Sequence, residues 1–234
     1  FKDWTHKISK APMLKAQHPG WELFQQGIHA QRGLACADCH MPYAREGGVK
    51  YTNHHMQSPL ADINSTCQVC HRESEAELIK NVYDRQDKCN EIRMNAEQQI
   101  VRAHIEAGKA WEAGATEAEM KLPLKLIRHA QWRWDFSVAS HGGPFHAPLE
   151  VARMLSSALD KAREARMELV RVLARHGVTE PVPMPDLSTK EKAQKYIGLP
   201  MEKLRSEKKE FLEKLVPEWD KQAAAREKTY SNPK

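Results

Sequence analysis

The pattern Cys-x-x-Cys-His occurs twice in the chain, at residues 36–40 and at residues 67–71. This pattern attaches c-type haem: the two thiols bond to the porphyrin, and the histidine binds the iron from one side. Two copies in 234 residues predict a protein that holds two haems covalently. The second axial position then decides the chemistry, because an open position lets the iron bind a substrate whereas a second histidine leaves an electron carrier.

Paired cysteines can also form a zinc site, two structural disulfides or a thioredoxin-like redox pair. The 27 residues between Cys39 and Cys67 exceed the roughly 15–20 residues between the halves of a zinc ribbon. Zinc does not need a histidine after both pairs, and a redox pair normally lies in a βαβ pattern, which is not seen. Haem is therefore the favoured interpretation. The fifth cysteine, Cys89, falls at helical spacing among apolar residues and is predicted to be a core thiol.

Composition excludes several other classes. No run of about 18 apolar residues occurs, so no membrane span is expected. The net charge of +5 comes from interleaved acids and bases, and no basic run predicts binding to nucleic acid. The chain begins at Phe1 without an export signal, although haem is attached to such motifs outside the cytoplasm. We therefore expect a processed or partial chain from the bacterial periplasm.

The elements that must position these motifs are predicted to be helical. Residues 1–72, with both haem motifs and many proline and glycine breaks, are expected to be irregular. Residues 73–234 are expected to form long helices that serve as a scaffold and a dimer interface. The expected fold class is all-α, a multihaem c-type cytochrome with an irregular N-terminal haem-binding part and long C-terminal helices. The two parts are expected to form one continuous domain that lacks an upstream half.

Caps and breakers set the expected limits of the helices, and no strand is predicted. Residues 182–185, which include two prolines, are predicted to be a stiff linker. The helices are expected from Glu73 to Trp111, from the capping box at Thr116 to Gly142, from Pro148 to His176, from a cap at Ser188 to before Gly198, and from Met201 to about Lys228 with a kink at Pro217.

Twelve histidines offer more candidates for the second axial positions than spacing can separate. His104 and His129 lie within predicted helices and are expected to be packed there. His176 precedes a helix-ending glycine, where a positive charge suits the helix dipole. Histidines in loops can reach a haem bound elsewhere in the chain and are better candidates: His18, His29, His54 or His55, and His146.

Further motifs follow one another along the chain: Lys15-Ala16-Gln17-His18-Pro19, Gly27-Ile28-His29, Cys36-x-x-Cys39-His40-Met41-Pro42, Tyr51-Thr52-Asn53-His54, Cys67-x-x-Cys70-His71, Arg128-His129-Ala130-Gln131-Trp132-Arg133-Trp134-Asp135, Ser140-His141-Gly142 and His146-Ala147-Pro148. From Trp4 to about Trp219 they resemble the C-terminal half of ammonia-forming cytochrome c nitrite reductase. The resemblance implies six-electron reduction of nitrite to ammonium, five haems per full subunit with the last two in this chain, and a homodimer.

The resemblance also implies which residues hold the haems. The haem on Cys36 and Cys39 would have His40 on one side of its iron and His146 on the other. The second haem would be held by Cys67, Cys70, His71 and His29. His54 would reach a haem whose cysteines lie outside this chain.

The same resemblance identifies His18 as the active-site histidine that faces nitrite. Lys15, through its backbone carbonyl, and Gln17, through its side chain, would bind a structural calcium ion, which prefers oxygen ligands. The Cys-x-x-Cys-Lys motif of the family's catalytic haem is not in this chain. Turnover would therefore need the upstream half of the subunit, with electrons from a multihaem cytochrome or a quinol-linked donor. The alternatives are a stand-alone dihaem electron carrier and a related multihaem enzyme that acts on hydroxylamine or sulfur oxyanions.

Overall fold

The computed structural model of the chain describes residues 1–230. It contains two compact units, residues 1–182 and residues 183–234. The boundary lies inside the predicted linker at residues 182–185, where two prolines remove backbone donors. The expected division between residues 72 and 73 stays a prediction. No helix among the described residues is long and apolar enough to cross a membrane.

The N-terminal part of the first unit consists of short elements joined by loops. Strands β1 (Trp4–Thr5) and β2 (Pro12–Met13) pair antiparallel, and helices α1 (Gly20–Phe24), α2 (Ile28–Gln31) and α3 (Cys36–His40) follow. Strands β3 (Tyr43–Glu46) and β4 (Val49–Thr52) form a second hairpin. Two short 3₁₀ turns, Pro59–Ala61 and Cys67–Val69, complete this part.

The prediction that no strand is present is therefore wrong at two hairpins. Two-stranded ribbons of this length are too short to show an alternating pattern of apolar residues. The second hairpin did carry a signal, because the dipeptide Gly47-Gly48 is a favoured two-residue turn. Gly47 takes φ 59°, a conformation that glycine adopts without steric penalty.

Three long helices form the remainder of the first unit: α4 (Glu75–Glu112), α5 (Glu117–Val138) and α7 (Pro148–Arg175). Helix α5 begins at the predicted capping box, in which Thr116 accepts from the backbone of Glu119 while the Glu119 carboxylate accepts from the backbone N–H of Thr116. It ends at Val138 rather than at Gly142. A separate short helix, α6 (Gly143–His146), lies in the turn, because proline fits best in the first turn of a helix and Pro144 takes that place.

Helix α7 packs against both α4 and α5 through a stripe of apolar residues. The members of this stripe that are buried are Val151, Leu155, Ala158, Ala162, Ala165, Leu169 and Val172. Between α4 and α7, the buried carboxylate of Glu106 accepts from Arg166 at 2.7 and 3.0 Å, so its charge is paired inside the interface. Cys89 on α4 is 4% exposed, which confirms the predicted core thiol.

A buried polar network ties the N-terminal hairpin to α4 and α5. Nδ1 of His104 lies 2.8 Å from Oγ of Ser9, and its Nε2 lies 2.7 Å from Oε1 of Gln131. The ring of His6 stacks on that of His104 with 3.7 Å between ring centres. The indole N–H of Trp111 donates to the carbonyl of Ser9 at 2.7 Å. This network confirms that His104 is a packed histidine. It also fixes the loop between β1 and β2, and residues 15–18 follow directly after β2.

The second unit contains only helices among its described residues. Helix α8 (Lys190–Tyr196) is capped by Thr189, whose side chain accepts from the backbone N–H of Lys192. This cap lies one residue after the predicted one at Ser188. Helix α9 (Met201–Glu210) continues through a π-helical segment, Phe211–Leu215, into α10 (Val216–Tyr230). The π-helical segment ends two residues before Pro217, and proline removes one backbone donor while its ring crowds the preceding turn. The predicted kink at Pro217 itself stays a prediction.

The buried state of His104 makes the stability of the first unit depend on pH. Burial and the neighbouring His6 lower the pKa of His104 from 6.5 to about 3. Between these two pH values the unfolded chain binds a proton that the folded chain does not. The free energy of unfolding should therefore fall below pH 6.5 by up to about 1.4 kcal/mol per pH unit.

Replacing His104 by glutamine removes this titrating group while keeping a polar side chain in the network. We expect His104→Gln to flatten the pH dependence of urea unfolding measured between pH 7.5 and 5. The exposed change His141→Gln should keep the slope of the parent protein. An unaltered slope in His104→Gln would contradict this role.

Candidate haem centres

Two pairs of histidine rings face each other in the first unit. His40, which follows Cys39 at the end of α3, has its ring centre 6.2 Å from that of His146 at the end of α6. The ring centre of His71 lies 6.3 Å from that of His29 in α2. The ring planes are nearly perpendicular in both pairs, at 80° and 78°. Each pair therefore joins the histidine of one Cys-x-x-Cys-His motif to a histidine from a distant part of the chain.

These separations fit a single metal atom between the two rings. A metal–imidazole bond is about 2.0–2.1 Å long and a ring nitrogen lies about 1.1 Å from the ring centre, so coaxial ligands have centres roughly 6.3 Å apart. The stacked rings of His6 and His104, at 3.7 Å, leave no such space. The residues present thus fit two haems with histidine on both sides. The pairs are those that the resemblance implies, and their role as ligands stays a prediction.

The four motif cysteines and Cys89 form no disulfide bond with one another. Burial first, and then the neighbouring Cys67, Asp38, Cys70 and Cys36, raise the pKa of Cys39. A raised pKa keeps this thiol protonated near neutral pH.

A hydrogen bond fixes the orientation of His40. Its Nδ1 lies 2.9 Å from the carbonyl oxygen of Gln57. Because a carbonyl can only accept, Nδ1 donates this hydrogen bond, and Nε2 is the nitrogen left to bind a metal. A neutral imidazole that donates through one nitrogen and binds through the other is the usual form of a metal-binding histidine.

Two glycines leave the space that His146 occupies. A Cβ atom on Gly142 would lie 2.3 Å from Cε1 of the His146 ring, and one on Gly27 would lie 1.8 Å from the His146 carbonyl oxygen. Burial first, and then His40 and His29, lower the pKa of His146, which favours the neutral form that binds metals. Its buried Nδ1 has no hydrogen-bond partner among residues 1–230. Buried nitrogens are rarely left unpaired, so this one fits a ring that binds a group outside the chain.

The pair formed by His29 and His71 is less enclosed. Nδ1 of His71 lies 3.6 Å from a carboxylate oxygen of Glu73. Burial, followed by the charges of His71 and Arg85, lowers the pKa of His29. His29 is therefore also expected to be neutral at pH 7, as an axial ligand must be.

The loop at residues 15–18 is held by a carboxylate that the sequence analysis did not single out. Asp135 of α5 is 6% exposed; it accepts from the backbone N–H of Ala16 at 2.7 Å and forms an ion pair with the Lys15 ammonium. The backbone N–H of Lys15 donates to Asp3 at 2.7 Å. The only signal for Asp135 in the sequence was its place at the end of the motif that begins at Arg128.

His18 itself is exposed and has φ 47°, a left-handed conformation that is uncommon for residues with a Cβ atom. Such conformations persist where the surrounding structure holds them and are frequent at functional sites. His54 is also exposed, on the loop that follows β4. Neither ring is paired with another candidate histidine in the described part of the chain, so both assignments stay predictions.

The calcium assignment rests on two oxygen donors, the carbonyl of Lys15 and the side chain of Gln17. Calcium takes about 6–8 oxygen ligands. Within residues 1–230, no three His, Cys, Asp or Glu side chains converge as ligands for a metal ion. These two donors therefore fit only part of a calcium site.

Comparison with known proteins gives consistent matches. Residues 1–228 match the family described as cytochrome c552. A cytochrome c-552 from Bacteroides fragilis is 64% identical over 225 residues, covering 96% of this chain and 46% of the relative. One from Desulfotalea psychrophila is 54% identical over 223 residues, covering 95% and 44%. The chain thus spans about half the length of the curated relatives that it matches.

The fold of the chain is also similar to that of a solved structure. The cytochrome c nitrite reductase from Desulfovibrio desulfuricans, described with two calcium sites in its catalytic subunit, is 33% identical with a TM-score of 0.69. The match covers 73% of this chain and 37% of that one.

The space at Gly142 gives a test of the ligand assignment. Gly142→Ala should displace the His146 ring, because the added Cβ would lie 2.3 Å from a ring carbon. We expect one low-spin ferric haem signal in electron paramagnetic resonance (EPR) spectra of the full-length protein to become high-spin. Gly20→Ala is the matched control, since a Cβ there meets nothing within 4 Å. If both variants keep the parent spectrum, His146 is not an axial ligand.

Proposed function

This chain belongs to the cytochrome c552 family, and on that premise we propose that it is the C-terminal part of a periplasmic multihaem nitrite reductase. The enzyme would reduce nitrite to ammonium with six electrons. One observation carries the proposal: two histidine pairs have ring centres far enough apart to hold a metal atom between them. Each pair includes the histidine of one haem motif. The 33% identity to a solved cytochrome c nitrite reductase supports the reaction.

Two haems of the five expected in a full subunit would be attached to this chain. His40 and His146 would hold the first, and His71 and His29 the second. Each haem supplies one-electron redox chemistry when bound. Because a histidine would bind each iron from both sides, these two centres would transfer electrons without binding nitrite. The hydrogen bond from His40 to the Gln57 carbonyl would hold that imidazole in place and increase its basicity as a ligand.

His18 would supply the proton chemistry. Conversion of nitrite to ammonium and two waters takes six electrons and eight protons, so proton donors are needed as much as electrons. An exposed imidazole on a fixed loop can donate a proton to a nitrite oxygen and receive another from solvent. The carbonyl of Lys15 and the side chain of Gln17 would contribute to a calcium ion whose charge favours an anionic substrate. The other calcium ligands would come from the upstream half.

The complete enzyme would need more than this chain. The chain covers 46% of the length of its Bacteroides relative, and the Cys-x-x-Cys-Lys motif of a catalytic haem is not in it. The upstream half of the same subunit would carry that haem, and His54 would serve as a ligand to one of its haems. A multihaem cytochrome or a quinol-linked donor would supply electrons, and the subunits would pair as a homodimer.

A dihaem electron carrier is the second candidate. The observation that favours it is that each motif histidine lies opposite a second histidine, so that the two haems of this chain would have no open position for a substrate. A carrier would be reduced and reoxidised by protein partners and would form no ammonium.

Replacing His18 separates these two functions. In the full-length protein, we expect His18→Ala to lower kcat for ammonium formation by about 100-fold or more, because a positioned proton donor is lost. The haem content should stay that of the parent. Ammonium formed with a reduced dye as donor is the measurement.

His176→Gln serves as a matched control, since His176 interacts with Glu119 at the end of α7, and it should keep the parent turnover. Undiminished turnover in His18→Ala would remove His18 from the mechanism. A parent protein that accepts electrons but forms no ammonium would favour the carrier.

A further inference from the structure

A phenylalanine ring lies between the two candidate haem centres. Phe145 in α6 has its ring centre 5.7 Å from that of His29, with 33° between the planes. Its ring centre is 6.3 Å from that of His146, with 61° between the planes. Both distances are within the range of direct aromatic contact. Five rings therefore follow one another through the two centres: His71, His29, Phe145, His146 and His40.

The histidines that Phe145 contacts are those whose orientation is least fixed by other means. His40 and His71 adjoin the cysteines of their own motifs, and His40 also donates to a backbone carbonyl. His29 and His146 come from other segments of the chain. Nδ1 of His146 has no hydrogen-bond partner among the described residues. Packing must therefore orient these two rings, and the Phe145 side chain contacts both.

We propose that Phe145 is a positioning residue shared by the two haem centres, orienting the far-side imidazoles of both and keeping water out of the space between them. The proposal rests on the haem ligation proposed above. Apolar surroundings disfavour the more highly charged oxidised state of a metal centre, so contact with Phe145 raises the midpoint potentials of both haems. One side chain thereby tunes two centres together.

The prediction that distinguishes this role from ordinary packing is the number of centres that respond. In the full-length protein, Phe145→Leu should shift the low-spin EPR signals of two haems and move both midpoint potentials to lower values. Leucine preserves much of the apolar volume, so the haems stay attached. An EPR-monitored redox titration measures both quantities in one experiment.

Two other phenylalanines provide matched controls. Phe24 contacts His146 at 5.7 Å between ring centres, so Phe24→Leu should shift the signal of one haem. Phe136 packs against Trp132 at 5.3 Å, so Phe136→Leu should shift none. Phe145→Leu should therefore displace two low-spin signals, Phe24→Leu one signal and Phe136→Leu none.

Fewer than two displaced signals in Phe145→Leu would overturn the proposal, as would a parent protein without haem on its cysteines. If Phe145→Leu does not fold, Phe145→Met provides the same comparison with a flexible apolar side chain and should again shift both signals. This experiment tests the role of Phe145 separately from the proposed nitrite chemistry, because the EPR redox titration does not measure ammonium formation. A parent protein with both low-spin signals and no ammonium would overturn only the reaction.

Discussion

Two imidazoles that bind one iron atom must face each other at about 6 Å between ring centres, and the two candidate centres meet this requirement by joining distant parts of the chain. His146 comes from the turn between α5 and α7, and its partner His40 ends α3. The turn reaches this position because small residues allow close approach. The carbonyl of His146 lies where a side chain on Gly27 would be, and its ring lies against Gly142. The contribution of the long helices to the candidate centres is thus to place the short turn that carries His146.

The scaffold was largely predictable because its determinants are local. The capping box at Thr116 and the two prolines of the linker act within a few residues, and each has its expected consequence. The two hairpins were missed because strands of two to four residues carry almost no periodicity. Helix α6 was missed because its position depends on how a loop packs rather than on a repeating pattern.

The candidate site was less predictable, since its contacts are long-range. Spacing alone left several histidines open as axial ligands, and only the resemblance paired His40 with His146 and His71 with His29. Asp135 accepts a hydrogen bond from the backbone N–H of Ala16, which is 119 residues away in the sequence, so no local signal could connect them. Phe145 was likewise indistinguishable from any core aromatic. A family pattern can indicate ligands, but the residues that orient them become visible only in three dimensions.

The environments of these residues suggest a physical separation of electron and proton chemistry. His146 and His29 adjoin aromatic rings, and burial lowers the pKa of both, so these imidazoles resist protonation and remain available as ligands. Proton transfer needs the opposite surroundings, with access to water. His18 lies on an exposed loop whose backbone is held from beneath by the buried Asp135, and the Lys15 ammonium compensates the charge of that carboxylate. In the proposed enzyme, the half-buried rings of His29 and His146 would thus serve electron transfer, and the exposed, fixed loop at His18 would serve proton delivery.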